Sequence, residues 1–242
     1  MDNGTAVAPI QPVSLPVLRE SIEQSIADLI ASLPNPNHLS HEDRRGIIAR
    51  YTAVLEGNFI YWMTATYLSV RSSKAHAIIE DNLREEVQDN HPGMLRTFAV
   101  AARATPTDID RLLIDTELQK VRAFVARLAG LRIILMMAFF EGFIQRFMPY
   151  LADLAAMQGS QETEYTDVHG VVDIAHTQGL FEAYSEETAL TDSEPSSTTH
   201  LEGVEVLRRL IETVICPGQQ SRKKPNEKTV TRDKRSTAYR GL

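Results

Sequence analysis

The stretch His169-Gly-Val-Val-Asp173-Ile-Ala-His176 carries two imidazoles and a carboxylate. A helix turns about 100° per residue, so offsets of four and seven return to one side. On a helix the three side chains share a face over two turns. Imidazole and carboxylate with open coordination positions form the donor set of non-haem Fe(II) chemistry. A solvated polar face would show the same spacing. Here Val168, Val172 and Ala175 interleave with the three, and Tyr165 precedes them, which favours a buried site.

Two further stretches carry metal-binding groups. Glu141 stands alone among Phe139, Phe140 and Phe143. An ionised carboxylate among aromatic rings is costly unless it is paired or metal-bound. Arg132 or Arg146 would be the ordinary partner, and a metal ion the alternative. The run from Asn82 through Glu85, Glu86 and His91 to Leu95 places acids close to a histidine. On an uninterrupted helix Glu86 and His91 point about 140° apart. Pro92 disfavours helical geometry at His91, so a break there is expected to turn the imidazole inward.

The elements that must hold these groups all read as helices. Leu15–Leu33 is amphipathic and stops at Pro34-Asn-Pro36. Ser40-His-Glu-Asp43 is a capping box that opens a helix running past Trp62 to about Val70. Ser73 to about Asn90 follows, broken by His91-Pro92-Gly93, and the pattern resumes to about Ala104. Thr107-Asp-Ile-Asp110 caps a helical stretch to Met157 with a break near Gly130. Its second half, Leu131–Leu154, is apolar almost all round and is expected to be buried. Tyr165 to about Glu187 carries the first motif, Thr188–Thr199 reads as a polar loop that includes His200 at its edge, and Leu201–Ile215 is a last helix. No stretch alternates with period two. The expected fold is all-α, a single helical bundle of about seven or eight helices. Residues 1–14 read as a flexible lead-in, 15–217 as the metal-binding helical domain, and 218–242 as a basic disordered tail.

Composition narrows the class. An apolar content of 43% supports a sizeable core. The single cysteine, Cys216, excludes an internal disulfide and has no neighbouring Cys or His, so a cytoplasmic setting and a structural thiol are expected. The first residues lack the basic and apolar regions of a secretory signal. The longest uncharged apolar run, Ile133–Phe140, is too short to span a bilayer. The net charge of −7 is uneven: Phe147–Leu207 holds twelve Asp/Glu and no Lys or Arg, while the tail is basic. A bound dication would relieve such self-repulsion, as would solvation.

Taken together, these residues resemble the haem-oxygenase-like diiron oxidase and oxygenase family over roughly residues 40–190. The most specific element is His169, Asp173 and His176 with Glu141 upstream, supported by the Asn-Leu-x-Glu-Glu stretch. The resemblance implies two Fe(II) ions, with O2 as co-substrate. Glu86, His91, Glu141, His169, Asp173 and His176 would be the ligands, Glu141 the bridge, and Glu141 and Asp173 the groups closest to the chemistry. The gap between acid and histidine is shorter here than in the family, which leaves Glu85 and Glu86 both open. Glu56 is a further candidate, because some members add a Glu from an earlier helix. Trp62, Phe140 and Tyr165 are candidates for a substrate pocket.

The implied activity is O2-dependent oxidation of a small amino-acid-type substrate. Nitrile formation from a tryptophan derivative with C–C and C–N rearrangement is one such reaction, and C–C cleavage of a fatty-acid-type substrate another. Arg44, Arg45, Lys74 and Arg132 are candidates to hold a substrate carboxylate. The expected partner is a small molecule rather than nucleic acid or a membrane, with a homodimer as one assembly. Two rivals are a haem-binding bundle, which leaves the His/Asp motif unexplained, and a non-catalytic helical protein whose basic tail contacts an acidic partner.

Overall fold

The computed structural model describes residues 14–190 and 200–217. The tail, the lead-in before Ser14, and residues 191–199 of the expected polar loop lie outside the described residues. All regular structure described is helical, as an all-α bundle requires. The helices are α1 (Leu15–Ala31), α2 (His41–Leu55), α3 (Phe59–Ser69), α4 (Ser73–Gln88), α5 (His91–Ala101), α6 (Asp108–Val125), α7 (Gly130–Met157), α8 (Glu164–Thr188) and α9 (Glu202–Ile215), with a 3-10 turn at Pro36–His38. None of the helices among the described residues is long and apolar enough to cross a membrane.

The bundle is organised around α7. Its apolar circumference is buried from Ile133 to Ile144 without interruption, and it shares the most extensive helix–helix contact with α8. Helix α4 packs on α8 and α3, and α5 packs on α2, α8 and α4. The inward faces of α4, α5, α7 and α8 therefore meet in one region.

Local chemistry sets the boundaries. The expected capping boxes form at Ser40/Asp43 and Thr107/Asp110. The helix expected to run unbroken from Ser40 to Val70 is divided at Glu56-Gly57-Asn58. Gly57 adopts φ +77°, a left-handed conformation open to glycine at little cost. The Asn58 amide caps the end of α2 by donating to the Val54 carbonyl at 2.7 Å, and its oxygen accepts from Arg122 Nε at 3.0 Å.

The break before His91 also differs from expectation. It falls at Asn90, with φ 55° and ψ 42°, and His91 is the first residue of α5. Pro92 thus starts a helix rather than stopping one, since a first-turn proline loses no helical hydrogen bond. A Cβ at Gly93 would lie 2.2 Å from the Asn90 amide nitrogen, so a larger residue there would have to push the Asn90 side chain aside. At the other end of α4, the buried Glu187 carboxylate of α8 accepts from the backbone N–H groups of Arg71 and Ser72 at 2.7 and 2.8 Å. This bond fixes where α4 begins along α8.

Candidate metal centre

Two clusters form where α4, α5, α7 and α8 meet. Glu86, His91 and His169 make one, and Glu141, Asp173 and His176 the other. In each, potential ligand atoms lie within 4.8 Å of one another, and all six residues are buried. Both clusters could hold a metal ion.

In the first cluster, His91 Nδ1 lies 2.8 Å from Glu86 Oε1, and the His169 Nε2 is 4.0 Å from the same oxygen. The rings of His91 and His169 meet edge to face at 4.5 Å. His169 Nδ1 lies 2.8 Å from the Tyr165 carbonyl, its own helix one turn back. A carbonyl can only accept, so Nδ1 carries the proton and Nε2 presents its lone pair to Glu86. This is the outer hydrogen bond by which metal-binding histidines are oriented.

Burial lowers the His169 pKa to about 4, so its imidazole is neutral. Burial raises that of Glu86, and the His91 bond only partly offsets it. Burial opposes charge on His91 too, but the Glu86 hydrogen bond and charge outweigh it and raise its pKa. Glu86 and His91 thus share a proton that a cation would displace.

The second cluster contains a fully buried acid without a hydrogen bond. Asp173 has 0% exposure, and neither of its carboxylate oxygens has a hydrogen-bond partner. Its nearest cationic atom is His176 Nδ1, at 3.6 Å and beyond hydrogen-bond range. That nitrogen, also without a hydrogen bond, is 3.8 Å from Glu141 Oε2. Burial, reinforced by the charge of Glu141, pushes the Asp173 carboxyl well above the usual range. The opposite holds for His176. Burial disfavours its charge, but Asp173, Glu141 and Glu85 together raise its pKa to about 11.

Glu141 makes neither of the ion pairs open to it in sequence. Arg132 binds Glu202 at 3.3 Å, and Arg146 binds Glu23. Instead the Asn82 amide of α4 donates to Glu141 Oε1 at 3.1 Å. The charge of Glu141 acts on Glu86 as well as on Asp173, as a carboxylate set near both clusters must.

Glu85 and Glu86 point in different directions. Glu86 is buried in the first cluster. Glu85 is 55% exposed and reaches around α4 to hold His176 Nε2 at 2.9 Å. It sits behind His176 and joins neither cluster. Helix α4 thus presents Asn82, Glu85 and Glu86 at positions i, i+3 and i+4: Asn82 holds Glu141, Glu85 holds His176, and Glu86 joins the first cluster.

Other expected residues fall elsewhere. Glu56 ends α2, exposed, 3.6 Å from Arg111, and joins neither cluster. It does line a cleft with Phe59, Ile60, Glu86, His91, Leu95, Arg96, Tyr165 and His169. Little of the about 390 Å3 free of atoms in the cleft and its mouth is enclosed, and the enclosed part has room for little more than a water molecule. Tyr165 lines it, with its hydroxyl 2.7 Å from that of Tyr51.

Trp62 and Phe140 do not line this cleft. They pack edge to face in the core at 5.6 Å, and Phe140 borders a separate apolar cavity with Tyr51, Phe143 and Phe147. His200, expected in a polar loop, is fully buried, with Nδ1 3.1 Å from the Tyr184 hydroxyl.

No protein-family model, curated protein or solved structure matches this chain. What the clusters do must therefore be argued from their own chemistry. A buried set of three carboxylates and three imidazoles, with orphaned oxygens and histidines held by outer hydrogen bonds, fits divalent transition metals. Hard all-oxygen cages for calcium lack such imidazoles, and thiolate sites are excluded by composition.

Proposed function

We propose that the protein is a non-haem diiron oxidase or oxygenase that uses O2 to oxidise a small amino-acid-type substrate. The observation that carries the reading is Asp173: a carboxylate with 0% exposure and no hydrogen bond to either oxygen. A fold retains such a group at a cost of several kcal/mol, and a cation between it, Glu141 and His176 offsets that cost. Mixed carboxylate and imidazole donors support Fe(II) and O2 chemistry better than zinc structural sites, which favour thiolates and closed shells.

Iron supplies the activation of O2 when it is bound. The chain's own groups do the rest. Tyr165 and Glu85 fix the outer nitrogens of His169 and His176. Asn82 holds one Glu141 oxygen, leaving the other toward His176. Glu86 and His91 exchange a shared proton for metal. The cleft ends on Glu86, His91 and His169, so a substrate bound there reaches the first cluster, while the apolar core around Phe140 and Phe143 keeps water from the second.

The test is anaerobic reconstitution of the full chain with Fe(II), then metal quantification and O2 exposure. The reading expects about two iron ions per chain and O2 consumption that depends on them. Negligible iron in a well-folded preparation would remove it.

A further inference from the structure

Three large apolar side chains stand together on the outside of α6. Ile109, Leu112 and Leu113 are 70%, 75% and 44% exposed, and offsets of three and four set them side by side on one helix face. The opposite face already serves the core: Ile114, Leu118, Val121 and Val125 are buried where α6 packs on α2 and α9. A contiguous apolar patch left in water marks a contact surface more often than a lone exposed leucine does.

A groove open to solvent adjoins this ridge, lined by Glu42, Arg45, Arg103, Thr105, Thr107 and Ile109. Ile109 belongs to both ridge and groove. The groove holds about 460 Å3, against roughly 30 Å3 for one water in the liquid, so two leucine side chains fit in it. Arg45 is spent within the chain, gripping Asp110 with two nitrogens and Glu42 with a third. Arg103 is exposed, and its side chain has no hydrogen bond or ion pair among the described residues. The ridge carries the opposite charge. Asp115, one turn beyond Leu112, is exposed and accepts from the Gln119 side chain at 3.2 Å, with no cation on it among the described residues.

We infer that this face joins two copies of the chain, α6 meeting α6 about a twofold axis near Ile109. A twofold contact sets one patch against itself. Leu112 and Leu113 of each copy enter the groove of the other, and Asp115 of each reaches the partner's Arg103. Ridge and groove share Ile109, so one axis fills both grooves and pairs both arginines. The charges favour a second copy over an anionic lipid surface, which Asp108 and Asp115 beside the ridge would repel. A standard interface buries about 800 Å2 per partner, and three side chains with a groove rim bury less, so the dimer is a weak one with a Kd on the order of 10–100 µM. Neither metal cluster enters the argument.

The experiment is sedimentation equilibrium of the full chain from about 1 to 500 µM, a range that brackets this Kd. A reversible monomer–dimer equilibrium is expected. Leu112→Glu should weaken it about tenfold or more, since a charge replaces an apolar contact made twice. Arg103→Glu and Asp115→Arg should each weaken it about threefold or more, and the two combined should recover most of the loss, because the swapped charges attract again. Val171→Glu, on the outer face of α8 and 68% exposed in the wild type, should leave association unchanged. Circular dichroism checks that each variant keeps its helix content.

A monomer at every concentration would overturn the inference. Co-flotation of that monomer with phosphatidylcholine vesicles, lost in Leu112→Glu, would assign the face to a lipid surface instead. A dimer that Leu112→Glu leaves intact, a double charge variant weaker than either single one, or equal damage from Val171→Glu would each overturn it as well.

Discussion

Replacing Asp173 with Asn should change the sign of its effect with metal. In the metal-free protein the carboxylate is buried with both oxygens unpartnered. Leaving a buried polar group unsatisfied costs about 1–3 kcal/mol. The amide keeps the shape, removes the charge and brings donors toward Glu141. One opposing effect is the loss of a negative neighbour for the His176 imidazolium. Their separation of 3.6 Å makes no hydrogen bond, whereas the 2.9 Å bond from Glu85 remains, so the relief should win.

Asp173→Asn should therefore raise the thermal midpoint in EDTA by roughly 2–12 °C, since 1 kcal/mol moves a chain of this size by about 2–4 °C. The gap should depend on pH. The folded carboxyl is raised by burial and by Glu141, so its burial is tolerated below the unfolded value near 4 and becomes increasingly unfavourable as pH rises above about 4. With Fe(II) under anaerobic conditions the order should reverse, because each tenfold loss of metal affinity removes about 1.4 kcal/mol of ligand stabilisation. Differential scanning calorimetry with and without EDTA, from pH 4.5 to 8, reads both. A variant less stable than wild type in EDTA across that range would show that the carboxylate supports the fold itself, and the metal argument from its burial would fall.

Other expectations follow from the same geometry. Glu85→Gln should leave the fold intact but weaken metal binding about 10–100-fold, the scale of an outer hydrogen bond to a ligand histidine; unchanged affinity in a competition titration would contradict its placement behind His176. Metal affinity should rise with pH, because His176, held at about 11, must release a proton to ligate; a pH-stat trace without proton release on Zn(II) addition would count against it. Combining Asp173→Asn with His176→Ala should cost little more iron than the worse single change, since one site cannot be lost twice, and fully additive losses would mean separate sites. Asp110→Asn should destabilise by about 1–3 kcal/mol, less than a fully buried pair because Arg45 reaches solvent. Burial pushes the Asp110 carboxyl up, but Arg45 and Thr107 hold it below the usual range, so its stabilisation is present above about pH 4 and lost below it; urea titrations at pH 3 and 7 should show the variant gap shrinking in acid.

What the sequence disclosed was what is local in the chain. His169, Asp173 and His176 sit on one helix, so their convergence follows from helical pitch alone. Glu141 stood out because a lone acid in an apolar helix has few resting places. The all-α bundle followed from periodicity and two capping boxes. Groups that depend on how helices rotate against each other were hidden. Glu85 and Glu86 are adjacent, and only the packing of α4 on α8 decides which faces inward. Asn82 acquires a role only because α7 brings Glu141 beside it. Trp62 and Phe140 have the composition of a pocket, yet the packing of α3 on α7 sets them edge to face in the core. His200 is buried by a contact with Tyr184 that no spacing announces.

The two clusters are not built alike. Glu141, Asp173 and His176 all come from α7 and α8, the pair with the most extensive contact. Glu86, His91 and His169 come from three helices, two of which, α4 and α5, are linked through the left-handed Asn90. One site is thus preorganised by the core, while the other is completed only when α5 is seated. Sub-stoichiometric metal should fill the α7–α8 site first, and occupancy of the second should wait on the docking of α5. Arrival of a ligand at the cleft would then favour the fully loaded centre, making assembly of the metal pair an ordered event coupled to occupancy of the cleft.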